Sequence, residues 1–189
     1  CYPLGSSGLY LITDLGKDKL HIFNIDCSKE KLRHLYALDV KEGSGPRHVE
    51  YHPNKSTLYV ANEFNSMVTV FQFDQETIEL VAIQEVKALK NQESETNYCA
   101  DIHLSSNGKY LYVSNRGENV ITSFRLMENG MLVRKKETPV RGEWPRSFAI
   151  TADGNYLIVA NEHTDNITVF SVNEAGDLNF EEISYSVYK

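Results

Sequence analysis

The sequence predicts an all-β chain built as blades of a β-propeller. Three observations carry that prediction. The chain repeats itself at a period near 49 residues, every copy has the composition of strands, and turn-forming residues recur at matching offsets. The repeat is clearest from Leu58 to Phe73. A shift of −48 lands on Tyr10–Asp14 and Leu20–Phe23. A shift of +53 lands on Leu111–Asn115 and Ile121–Phe124, and a further +46 on Leu157–Asn161 and Ile167–Phe170.

Each copy reads as strands because Val, Ile, Tyr, Phe and Thr dominate it and several stretches alternate apolar with polar. The first copy turns at Gly16-Lys17-Asp18, the second at Asn65-Ser66, the third at Gly117-Glu118-Asn119 and the fourth at Thr164-Asp165-Asn166. These residue types accept the backbone angles that hairpins require. Earlier turns stand at His52-Pro53-Asn54-Lys55, Ser106-Asn107-Gly108-Lys109 and Ala152-Asp153-Gly154-Asn155. A weaker fourth strand follows, as at Leu80–Val86 and Leu132–Glu137. Each unit is then a four-stranded antiparallel meander, and such a unit repeating every 40 to 50 residues marks a propeller blade. The chain is expected to be one partial β-propeller over 1-189, with blades at approximately 1-42, 43-90, 98-140 and 143-187.

The 189 residues carry a net charge of −7, with 41% hydrophobic and 24% charged residues. That composition suits a globular core. The acidic balance excludes a nucleic-acid binder, which needs a basic face against phosphates. No apolar run reaches the roughly 20 residues that cross a bilayer, so no membrane span is expected. Cys1, Cys27 and Cys99 are odd in number and widely spaced, which fits neither a disulfide framework nor a zinc ribbon and points to a reducing, cytoplasmic setting. Each is expected to be a small buried hydrophobe. The opening Cys1-Tyr2-Pro3 and the final Val187-Tyr188-Lys189 read as an excerpt of a longer protein.

In a meander the beginning of the first strand and the end of the second share one face of the ring. Gly45-Pro46-Arg47-His48 with Asn62-Glu63-Phe64, Cys99–His103 with Asn115-Arg116, and Pro145-Arg146-Ser147 with Asn161-Glu162 therefore face one mouth. The polar insertion Ala88–Asn97 joins two blades on that face and is expected to cover part of the mouth. Asp14, Asn62, Asn115 and Asn161 recur in every copy, so turn chemistry explains them. The next position varies as Leu15, Glu63, Arg116 and Glu162, which scaffold alone explains poorly. The mouth thus collects Arg47, His48, Glu63, Asp101, His103, Arg116, Arg146 and Glu162, a set suited to a small anion because arginine offers paired planar donors. Arginine–carboxylate ties between blades are the plainer reading for any one of these residues. That reading is preferred for Glu162. Two ligands such as Asp101 and His103 do not make a metal site, and no phosphate-cradling loop or nucleophile elbow is present. The aromatic residues Tyr59, Phe71, Phe73, Tyr112, Phe124, Tyr156 and Phe170 are expected to pack between blades.

Gly45-Pro46-Arg47-His48 with His52-Pro53-Asn54, Ala100-Asp101-Ile102-His103, and Asn107–Tyr112 resemble the seven-bladed propeller lactonase family, which contains 6-phosphogluconolactonases and carboxy-cis,cis-muconate lactonizing enzymes. The resemblance spans essentially the whole chain and implies about four four-stranded antiparallel blades of a seven-bladed ring. In the cyclase branch an Arg entering the first strand, a Glu leaving the second and an Arg leaving the second strand of the next blade form the site. Those positions match Arg47, Glu63 and Arg116. A histidine of the preceding blade would fall just before Cys1. His48 after Arg47 follows the lactonase branch. The implied activity is hydrolysis of a sugar lactone, 6-phosphogluconolactone to 6-phosphogluconate. Arg47, His48, Glu63 and Arg116 would be catalytic, and Asp101, His103 and Arg146 would bind substrate. The partner is a small anionic lactone; no metal, no organic cofactor and a monomeric full-length form are expected. The alternatives are a carboxymuconate cycloisomerase and a non-catalytic binding module.

Overall fold

The computed structural model describes residues 1–5, 8–26, 28–91, 93–94 and 96–186. Sixteen strands form four sheets among them. The first sheet holds β1 (Tyr2–Pro3), β2 (Leu9–Asp14), β3 (Lys19–Asp26) and β4 (Lys31–Asp39). The second holds β5 (Pro46–His52), β6 (Thr57–Asn62), β7 (Met67–Asp74) and β8 (Glu79–Lys87). The third comprises β9 (Tyr98–Leu104), β10 (Tyr110–Arg116), β11 (Val120–Leu126) and β12 (Leu132–Pro139), and the fourth β13 (Pro145–Ile150), β14 (Tyr156–Asn161), β15 (Asn166–Val172) and β16 (Leu178–Ser186). Within each sheet neighbouring strands pair antiparallel in chain order, so each copy of the repeat is one propeller blade.

The turns behave as their chemistry requires. The Asp14 carboxylate accepts from the Lys17 amide at 3.1 Å, and Asp18 closes that turn in the left-handed region at φ 51°. Pro53 opens the matching turn of the second blade. Asn62, Asn115 and Asn161 do something else. Each amide nitrogen crosses to a threonine hydroxyl on the facing strand, Thr69 at 2.8 Å, Thr122 at 3.1 Å and Thr168 at 3.3 Å. Their role is scaffold, as expected, but it is a buried cross-strand tie rather than a turn cap, because all three side chains point into the sheet seam.

The core lies between blades. Leu11, Leu20 and Ile22 pack on Val49, Leu58 and Val60; Tyr59 and Val70 on Ile102, Val113 and Phe124; Tyr112 and Ile121 on Phe148, Leu157 and Phe170. Each such side chain contributes roughly 1.5–3 kcal/mol on leaving water. Every residue of β6 is buried, since sheets cover it on both faces. On β14 burial alternates instead, and Tyr156 and Ile158 are exposed. Tyr156 therefore corrects the expectation of packing between blades: no sheet lies on that face among the described residues.

One further expectation needs correction. Cys99 is fully buried, but Cys1, which precedes the two-residue β1, is exposed, because no strand covers it among the described residues. Cys27 lies outside the described residues. The insertion after β8 is held against the third blade over its described residues. It folds onto the β10–β11 turn, where the Glu118 carboxylate accepts from the amides of Glu93 and Ser94, and Gly117 at φ 110° leaves room for the Thr96 carbonyl. A Cβ at Gly117 would stand 2.2 Å from that oxygen. Among the described residues no helix is long and apolar enough to cross a membrane.

Candidate active site at the channel mouth

A register shift at the first strand of the second, third and fourth blades aims the mouth residues. Between β5 and β6 it falls between Pro46 and His48 and leaves Arg47 as the extra residue. Between β13 and β14 it leaves Arg146. Between β9 and β10 it falls at Ala100 and Asp101. An extra residue in one strand bends the chain and redirects its side chain. Arg47 is thereby turned along the seam towards the third blade.

There it meets the ends of β6 and β10. Arg47 Nε lies 3.0 Å from Glu63 Oε2, and Arg116 Nη2 lies 2.9 Å from Glu63 Oε1. Arg47 also donates to the Ala100 carbonyl at 2.7 Å, and Arg116 to the Cys99 carbonyl at 3.2 Å. Arg116 stands against the rings of Tyr98 and Trp144, 5.6 Å and 5.5 Å from their centroids, and is 5% exposed. Its Nε has no hydrogen-bond partner among the described residues. Burial first, then the Arg116 charge, pulls the Arg47 guanidinium below its ordinary value, while Glu63 works in the opposite direction. Burial also pushes the neighbouring Cys99 thiol up to about 12, which leaves it inert as a nucleophile.

A second polar layer lies deeper in the channel. His48 Nδ1 is 2.7 Å from Asp101 Oδ1. Asp101 Oδ2 accepts from the Ser147 hydroxyl at 2.8 Å and the Phe148 amide at 3.1 Å, and lies 3.4 Å from His103 Nε2. His103 Nδ1 is 2.9 Å from Glu50 Oε1, and the Tyr2 hydroxyl donates to Glu50 Oε2 at 2.6 Å. Burial disfavours charge on Asp101, but bonds from His103, His48 and Ser147 outweigh it and hold the carboxyl far below the usual range. Burial likewise disfavours charge on His103, and its bonds to Asp101 and Glu50 overcome that, raising the imidazole to about 9.

Arg47, His48, Asp101, His103 and Ser147, with Thr13, wall a cavity of about 380 Å³ open to the mouth. The structure therefore brings six of the seven expected residues together. Glu63 and Arg116 join through Arg47 rather than by lining the cavity. Arg146 stands apart on the rim, 56% exposed and paired with Glu162 at 3.0 Å, the tie expected for Glu162. Among the described residues no group of three or more His, Cys, Asp or Glu side chains is arranged to hold a metal.

Sequence reasoning missed Glu50 and Tyr2. The signal was present in the repeat itself. Tyr2 and Glu50 are 48 apart, His48 and Asp101 are 53 apart, and so are Glu50 and His103. These are the blade-to-blade offsets, so equivalent positions on successive inner strands meet at one level of the channel.

Comparison with known proteins agrees with this arrangement. The model of the family described as "Lactonase, 7-bladed beta-propeller" matches residues 4–187. A 6-phosphogluconolactonase of Yersinia pestis is 32% identical over 167 residues, covering 88% of this chain and 50% of that protein. The chain thus spans about half the length of the curated relatives it matches. Among solved structures, a protein from Lactobacillus plantarum superposes with a TM-score of 0.91 at 28% identity, covering 95% of this chain and 53% of that one. The periplasmic gluconolactonase of Pseudomonas aeruginosa superposes with a TM-score of 0.87 at 25% identity, covering 98% and 54%.

Proposed function

This chain belongs to the seven-bladed β-propeller lactonase family, and from that premise we propose that the protein hydrolyses a sugar lactone, 6-phosphogluconolactone to 6-phosphogluconate. The observation that carries the proposal is the His48–Asp101 pair opening into a cavity walled by the Arg47 guanidinium. With a carboxylate facing Nδ1, that nitrogen holds the proton and Nε2 keeps its lone pair for the mouth. His48 is then the general base. Glu63 suits that role poorly, because both its oxygens are engaged by guanidinium groups and taking a proton from water would release Arg47 and Arg116.

In the reaction, His48 Nε2 takes a proton from water as its oxygen adds to the lactone carbonyl carbon. The carbonyl oxygen gains the negative charge and meets Arg47, which Glu63 and the Ala100 carbonyl hold in place beforehand. The bond from the carbonyl carbon to the ring oxygen then breaks, and His48 returns the proton to the departing hydroxyl. Arg116 keeps Glu63 and Arg47 aligned, His103 supports Asp101, and Arg146 at the rim receives the substrate's phosphate by exchanging Glu162 for it. A cytoplasmic setting and a monomeric full-length form belong to the same proposal, drawn from the odd, dispersed cysteines and the closed-ring family fold.

The test is hydrolysis of 6-phosphogluconolactone and of unphosphorylated gluconolactone, with Arg47→Ala and Glu63→Ala beside the parent. Faster turnover of the phosphorylated lactone, and its loss in both variants, is expected. Unchanged rates in both variants would discard the site. Muconate turnover without sugar-lactone turnover would identify a cycloisomerase, and a tight anionic ligand without turnover a binding module.

A further inference from the structure

The deeper layer has a property that the mouth arginines do not explain. His103 has a carboxylate at each ring nitrogen, Glu50 Oε1 at 2.9 Å from Nδ1 and Asp101 Oδ2 at 3.4 Å from Nε2. A neutral imidazole donates from one nitrogen only, so between two acceptors the ring satisfies both only when both nitrogens carry protons. The edge of the ring is set against Phe148 at 4.9 Å between centroids, which fixes its plane.

We propose that His103 is a standing imidazolium, and that by clamping Asp101 it acts as the positioning residue that orients His48 towards the cavity. The chain of contacts is continuous. Tyr2 donates to Glu50, Glu50 holds His103, His103 holds one oxygen of Asp101, and the other oxygen holds His48. Ser147 and the Phe148 amide pin the shared carboxylate from the fourth blade. Around His103, β5 presents Glu50, β9 its own Asp101, and β13 the uncharged Phe148 ring; Tyr2 of β1 reaches it by way of Glu50, and Arg47 faces Asp101 from further off. The two carboxylates outweigh burial and keep the ring charged up to about pH 9. The catalytic consequence rests on the lactonase reading; the charge state and the clamp do not.

The experiment reads ring nitrogens directly, by nitrogen-15 histidine spectra of the full chain without substrate. His103 is expected to show two protonated ring nitrogens at pH 7 and to lose one near pH 9. In His103→Gln the His48 ring is expected to lose its single Nδ1–H tautomer and become a mixture. In His103→Lys, which restores a cation with several donors, it is expected to recover. A singly protonated His103 at pH 7 would overturn the proposal on the unaltered protein, whatever any variant does. An unchanged His48 tautomer in folded His103→Gln would overturn the clamp. Lactone turnover in the same samples is expected to fall at least tenfold in the Gln variant and to return in part with Lys. If the spectra follow expectation and no lactone is turned over by the parent, the lactonase reading fails and the clamp stands.

Discussion

The seam between the second and third blades and the seam between the third and fourth are built alike at the outside and differently at the channel. Outside, Tyr59 crosses the first seam to donate to the Gly130 carbonyl at 2.9 Å, and Tyr112 crosses the next to the Gly176 carbonyl at 3.1 Å. Donors and acceptors sit at equivalent repeat positions, and the apolar residues around them correspond. Inside, the first seam carries Arg47–Glu63–Arg116 and both histidine–carboxylate pairs, while the second carries Ser147 on Asp101, and the exposed Arg146–Glu162 pair beside it stays within the fourth blade. Folding poses the same problem at both seams, so what repeats answers that problem. What departs from the repeat is where the proposed function places substrate chemistry.

The largest effect that can break this comparison is on rate. His48→Gln keeps a donor to Asp101 but supplies no base, and it is expected to lower kcat by roughly 10²–10⁴-fold. The His48 side chain is 44% exposed, so stability should change little. Initial rates and thermal melts on one preparation check both halves. A large fall in melting temperature with a proportionate rate loss would make His48 a scaffold residue.

Next comes the ion-pair cluster. Glu63→Ala leaves Arg47 and Arg116 facing one another with no carboxylate between them, and both are mostly buried. Removing one partner of a buried pair costs about 3–5 kcal/mol, somewhat less at this partial exposure. Urea midpoints measure it. Glu162→Ala at the equivalent place on the fourth blade is expected to cost under about 1 kcal/mol, as surface pairs do. Equal costs at the two sites would erase the distinction between the seams.

The pH dependence separates the two seams more gently. The folded value of His103 is raised from 6.5 to about 9. The stabilisation from its bonds is therefore complete below about pH 6.5, shrinks as pH rises and is gone once pH passes 9. Asp101 acts in the opposite sense: held low in the fold, it stabilises above its unfolded value of 3.8 and is lost as pH falls through the acid range. Melting temperatures of the parent between pH 6 and 10 are expected to fall by more than those of His103→Gln. Parallel curves would show that His103 carries no extra proton.

How much of this was legible in the sequence follows from what repeats. The period fixed strand order, turn positions and the shared mouth, because those depend on residue types at recurring offsets. It also separated Asn62, Asn115 and Asn161 from the varying positions beside them, although not the threonines they reach. The two polar layers were legible in part. Arg47, Glu63 and Arg116 stood out as departures from the repeat, yet the register shifts that aim Arg47 leave no mark in composition. Glu50 passed unnoticed because a glutamate in a strand reads as a solvated position, and only the 53-residue offset to His103 shows that it faces a histidine. Tyr156 failed for a different reason. Its repeat position is apolar as at Tyr110, but burial depends on what lies against the face, which one blade's sequence does not contain.

The smallest effects sharpen the comparison most, because they should be equal. Tyr59→Phe and Tyr112→Phe each remove one buried hydroxyl and leave a glycine carbonyl without its donor. Each is expected to cost about 1 kcal/mol, the usual net worth of a buried hydrogen bond plus part of the penalty for the orphaned acceptor. The two sites share no partner, so the double variant should cost their sum to within about 0.5 kcal/mol. Neither hydroxyl lines the cavity, and kcat and KM should stay at parent values in all three proteins. Denaturant midpoints beside lactone kinetics test this. Unequal costs would mean that the outer halves of the seams are not equivalent after all. A changed kcat in Tyr59→Phe alone would mean that strain at the outer seam between the second and third blades reaches Arg47, so that scaffold and site cannot be separated by the repeat.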